Sequence, residues 1–147
     1  MSLAGAGKLS VILIAVLVAC ASGAVAGGKA GGKRMLLRLP AFSMAPNDGI
    51  TVVKVRVKGG SVVSVFRPRT WECEAGGFPG VEDEMSCSSP NREYAIFNSS
   101  MLPEITVSDE SGYDPSKFGV EVELEIESAS GSKRTKTIAQ SEMRISR

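Results

Sequence analysis

With no histidine among its 147 residues, this chain's candidates for chemistry are its cysteines and carboxylates. That absence removes Ser-His and Cys-His nucleophile pairs, His-rich metal sites and the zinc metalloprotease motif. The cysteines are Cys20, Cys73 and Cys87. Cys20 sits in an apolar amino-terminal stretch and is lost if that stretch is cleaved. Cys73 and Cys87 then form an even pair, expected in a small exported domain to be one disulfide. It closes a loop of 15 residues counting both cysteines, which contributes roughly 3 kcal/mol through chain entropy. A zinc site would lack ligands, since no histidine or further cysteine accompanies the pair.

The carboxylates carry no catalytic motif. Glu121, Glu123, Glu125 and Glu127 alternate with Val122, Leu124 and Ile126, which makes them the solvated face of a strand. A glycosidase pair needs two carboxylates about 5–9.5 Å apart in a cleft, and no spacing here points to one. Glu82-Asp83-Glu84 and the turn from Asp109 to Asp114 offer oxygen ligands to calcium. Neither has the alternate acids and twelfth-position glutamate of an EF-hand loop. The expectation is therefore a protein that is not an enzyme and needs no metal or cofactor.

Three features suit recognition instead. Between the cysteines, Gly76-Gly77 and Gly80 flank an apolar Phe78-Pro79 tip with Glu82-Asp83-Glu84 as an acidic shoulder. A covalently closed loop lowers the ordering cost of presenting such a tip to a partner. Phe78 and Pro79 are thus candidate anchors for a protein surface, the alternative being that Phe78 folds back onto the core. Trp71, the only tryptophan, is a further partner-binding candidate. It either packs against the disulfide in the core or, with Tyr94, stacks on sugar as in a carbohydrate-binding module. Asn98-Ser99-Ser100 is an N-glycosylation acceptor triplet, so Asn98 carries a glycan if the source is eukaryotic and the segment exposed.

The elements that must position these residues begin with an address. Residues 1–26 read as a helical secretory signal: Lys8, an apolar run from Leu9 to Ala21, then small residues, with Ala24 and Ala26 suiting cleavage after Ala26. Two alternatives stand beside it. Leu17-Val18-Ala19-Cys20 has the form of a bacterial lipobox, which would make Cys20 a lipidated membrane anchor. The uncharged run from Leu9 to Gly28 also approaches the ~20 residues of a bilayer span, although its far half is glycine, alanine and serine. Residues 27–33 form a glycine- and lysine-rich flexible lead. Residues 34–147 are one domain.

That domain reads as strands. Val53, Val55 and Val57 alternate with Lys54, Arg56 and Lys58 in Thr51–Lys58, the period of a half-buried strand. Gly59-Gly60 then leads into Ser61–Phe66, which suggests a hairpin closed by a type I′ turn. Val120–Glu127 alternates in the same way and turns at 128–132 into Lys133–Ile138. Shorter candidates are Met35–Leu39, Tyr94–Asn98, Ile105–Ser108 and Met143–Ile145. No helical period appears outside the signal. The expected fold is an all-β antiparallel β-sandwich, immunoglobulin-like, of about seven strands, with a small β-barrel as the other arrangement.

Charge is segregated although the total is only +1. Residues 27–69 carry nine basic and one acidic side chain; residues 70–127 carry two and fourteen; residues 128–147 carry five and one. Cross-strand pairing explains this pattern, with the strand from Glu121 beside the strand from Lys133 and also near the one from Lys54. A charged partner steered by a bipolar surface is the other explanation. The near-neutral total argues against a nucleic-acid binder. Together these features indicate a small secreted, non-catalytic protein (effector, inhibitor or recognition module) with a protein partner. No membrane contact is expected unless Cys20 is lipidated.

Overall fold

The computed structural model describes residues 32–97, 101–110, 112 and 114–147. The signal segment, Cys20, most of the glycine-rich lead and Asn98 lie outside these residues. The alternating segments form nine strands: β1 (Arg34–Arg38), β2 (Gly49–Lys58), β3 (Gly60–Val65), β4 (Glu72–Phe78), β5 (Glu82–Ser88), β6 (Glu104–Asp109), β7 (Gly119–Glu127), β8 (Lys133–Ala139) and β9 (Arg144–Ser146). The described residues hold little helix, only short 3₁₀ turns such as Arg92–Tyr94 and Gln140–Glu142. Two antiparallel sheets result, ordered β3-β6-β1-β9 and β4-β5-β2-β7-β8.

Their apolar faces meet in one core, in the manner of a sandwich. Val53, Val55 and Val57 of β2 and Val122, Leu124 and Ile126 of β7 lie beneath one sheet. Met35 and Leu37 of β1, with Ile105 and Val107 of β6, lie beneath the other. Each such side chain is fully or almost fully buried, and burying one aliphatic side chain contributes about 1.5–3 kcal/mol.

The pairing is nested. β4 pairs with β5, β3 with β6, β2 with β7 and β1 with β9, and successive pairs alternate between the two sheets. These nested pairs centre on residues 79–81, and β8, which pairs only with β7, stands outside the nesting. In the immunoglobulin constant-type order the first two strands are neighbours in one sheet, whereas here β1 and β2 lie in different sheets.

Three local expectations are corrected. Gly59-Gly60 does not close a hairpin, because β2 and β3 belong to different sheets. Only Gly59 has a positive φ, 67°, and the two residues step the chain across the sandwich. A Cβ at Gly59 would lie 2.2 Å from Lys117 O, and one at Gly60 2.2 Å from Ser108 O. Neighbouring backbone thus excludes any side chain from the crossover. In place of the strand expected over Tyr94–Asn98, Tyr94 ends the 3₁₀ turn Arg92–Tyr94 and Ile96 makes one bridge, to Ile50. The segment between the cysteines, expected as a loop, is instead the strand pair β4–β5.

The charge pattern is cross-strand pairing. β7 lies between β2 and β8, with Lys54 opposite Glu123, Arg56 opposite Glu121 and Glu127 opposite Lys133. Arg56 is the hub of this outer face. Its Nε donates to Glu84 Oε2 at 2.9 Å and its Nη1 to Glu121 Oε1 at 3.0 Å. Glu123 and Glu82 lie 3.7 and 4.0 Å from the guanidinium. The hydrogen bond with Glu84, then that with Glu121, holds the Arg56 pKa above its ordinary value against the opposing effect of burial.

Candidate functional site: the tip of the β4–β5 hairpin

Cys73 and Cys87 are joined, and they stand directly opposite one another in the β4–β5 ladder with Cα atoms 4.0 Å apart. So short a separation marks a non-hydrogen-bonded antiparallel pair, in which both side chains leave the sheet on the same face. Cys87 is buried in the core and Cys73 packs against it, so the disulfide lies on the inner face. Alternation then puts Glu72 and Glu74 of β4, and Glu82 and Glu84 of β5, on the outer face. The hairpin carries five carboxylates and no cation from Glu72 to Ser88.

Its far end projects past the core. Phe78 is 74% exposed and Val81 68%, and Pro79 between them is exposed as well. The turn is closed by Val81 N–H donating to Phe78 O at 3.0 Å. Gly77 and Gly80 supply positive φ values of 93° and 78°, which glycine adopts without the steric cost other residues bear. Phe78 therefore does not fold back onto the core.

Asp83 ties the hairpin down. On the strand alternation it faces inward, and its Oδ2 accepts the Val62 N–H at 2.7 Å, which links β5 to β3 of the opposite sheet. Between the hairpin and the Gly59–Val62 crossover lies a groove of about 350 Å³. Ala75, Val81 and Met85 contribute apolar lining, and Glu82, Asp83, Glu84 and Glu110 are acidic. A second cleft, about 420 Å³, is lined by Phe66, Ile96, Met101 and Leu102. Phe66 and Met101 are largely exposed there.

Trp71 is not at the tip. It is 2% exposed, part of the core, and its Nε1–H donates to Tyr94 O at 2.7 Å. The indole thus offers no face to a partner or a sugar ring, while Tyr94 remains partly exposed. Asn98 and Cys20, the glycosylation and lipidation candidates, lie outside the described residues. Among the described residues no three His, Cys, Asp or Glu side chains are grouped to hold a metal. The alternation of β5 sends Asp83 to the opposite face from Glu82 and Glu84, and Asp114 is occupied by the Ser116 hydroxyl and N–H. Those bonds from Ser116 hold the Asp114 pKa below the ordinary carboxylate value.

The sequence places Arg56 on a basic strand face and Asp83 in an acidic run, but not in the roles they have here, and it does not point to Val81. A strand over Glu82–Ser88 makes those roles legible, because period two separates the outer Glu82 and Glu84 from the inner Asp83. No protein-family model matches this chain, and no curated protein sequence matches it either.

Proposed function

We propose that this is a small exported, non-catalytic recognition protein that engages a protein partner through the tip of the β4–β5 hairpin. One observation carries the reading: Phe78 and Val81, both large apolar residues more than two-thirds exposed, share the tip of a hairpin held by a disulfide. An aromatic residue presented on a pre-ordered scaffold is the usual anchor of a binding hot spot. The disulfide suits an oxidising compartment, which supports export by the amino-terminal signal. An effector, an inhibitor and an adhesion module all fit this description.

The test is Phe78→Ala. Removing an exposed ring leaves folding stability within about 0.5 kcal/mol, so loss of binding reports the surface alone. The immobilised variant should recover fewer bound proteins from the native medium than the wild type, and equal recovery by both would remove the tip from consideration. Mass spectrometry of the exported chain checks the address: a start at Gly27 supports the cleaved signal, and an acylated Cys20 replaces it with a lipid anchor.

A further inference from the structure

We infer that the outer edge of β4 is a strand-addition site for an extended peptide carrying lysine or arginine on alternate residues. This deepens the recognition reading above, on which it rests, by giving the partner's chemistry.

The backbone supplies the first half of the argument. Because Cys73 and Cys87 form a non-hydrogen-bonded pair, the N–H and C=O groups of Cys73 and Ala75 point away from β5. The regular alternation stops short of Gly77, whose φ is 93°. β4 ends its sheet, and among the described residues no backbone bond reaches Cys73 or Ala75 from its open side. The other edges are defended: β8 carries Lys133, Arg134 and Lys136, β9 has three residues, and β3 is bulged between Val62 and Ser64. Charges, short length and bulges are the ordinary protections of a sheet edge. Ala75-Gly76-Gly77 has none of them.

Charge supplies the second half. A strand added beside β4 turns alternate side chains to the outer face, next to Glu72 and Glu74, with Glu84 one strand further in. Arg56 is already engaged by Glu84 and Glu121, which leaves Glu72 and Glu74 for an incoming cation. The intervening side chains turn inward, toward the groove of about 350 Å³ lined by Ala75, Val81 and Met85. The fitting ligand is thus basic on one face and small and apolar on the other, and strand addition of this kind is a common mode of peptide recognition.

The experiment uses the oxidised protein and an end-blocked, fluorescein-labelled heptapeptide alternating lysine and valine, read by fluorescence anisotropy and amide hydrogen exchange. The expected result is saturable binding that slows exchange at Cys73 and Ala75. The E72K/E74K variant and a Glu/Val peptide should each weaken binding at least tenfold. So should N-methylation of the peptide amides that face β4, which keeps its charge and removes its donors. Equal binding of the N-methylated peptide, or unchanged exchange along β4, would overturn strand addition and leave charge adsorption. If those amides are instead protected by concentration-dependent dimerisation without peptide, β4 is occupied by a second copy and the proposal falls. The tip hypothesis fails separately, through unchanged recovery by Phe78→Ala while the peptide still binds.

Discussion

At Trp71 a single hydrogen bond decides how a large ring is used. The indole N–H is satisfied by Tyr94 O, which lets the ring be buried without an unpaired donor. Trp71→Phe leaves the Tyr94 carbonyl without this partner and a small cavity beside it. It should lower stability by about 1–3 kcal/mol, measured by urea denaturation of the oxidised protein. Asp48 is the corresponding case for charge. It is buried beside Arg134, whose Nη1 donates to its Oδ2 at 2.6 Å. That hydrogen bond holds the Asp48 carboxyl below its ordinary pKa against the opposing effect of burial. Glu125 is lowered too, chiefly by Lys133. Folded values below the unfolded ones mean that this stability is complete above about pH 5 and is lost as pH falls through the lowered values. Arg134→Met should therefore show a lower Tm than wild type at neutral pH, and the gap should narrow on acidification. A gap that does not change with pH would assign the effect to packing of the arginine stem.

Strands and turns respond to different changes. At the crossover, any side chain meets backbone at 2.2 Å. Gly60→Ala should cost at least 1–3 kcal/mol, on the order of a strained or overpacked site. Gly59→Ala adds the strain of its positive φ, whereas alanine at Gly119, which has open space around it, should be far milder. Thermal melts of the three variants give the ranking. Reducing the disulfide, or Cys73→Ser with Cys87→Ser, should cost roughly 3 kcal/mol for a loop of this length, read as a shift in denaturation midpoint against the oxidised protein. These elements were unequally legible. β2 and β7 alternate so strictly that period alone locates them, and the β7–β8 hairpin follows from its turn. β4 hid because Gly76 and Gly77 lower strand propensity and its inner positions are cysteine, alanine and glycine. What orders β4 is pairing with β5 and the disulfide. Gly59-Gly60 was legible as a turn, but the sheet joined next depends on β6, more than forty residues away in the chain. The tip residues could be chosen from sequence, because Phe78-Pro79 between glycines has nothing local to pack on. Their exposure depends on Asp83 holding β5 to Val62, which no local pattern shows.

For the whole molecule, the balanced net charge hides an outer face organised by Arg56 among four carboxylates. Exposed pairs are individually weak, about 0.2–1 kcal/mol, so this network selects neighbours more than it adds stability. The nested order has a kinetic meaning as well. Cys73 and Cys87 are 14 residues apart, while the outermost pair joins Leu36 to Ser146, 110 residues apart. Each doubling of a closed loop costs about 0.6 kcal/mol, so the outer pair meets roughly 2 kcal/mol more resistance than the inner one. Among the nested pairs, loop entropy therefore favours closure from the centre of the chain to its ends, like a zip closing from the middle, while the local β7–β8 hairpin closes independently. The covalent bond sits at the slider's starting point, so oxidation needs only one nascent turn and leaves every later, slower closure to proceed from a clamped nucleus.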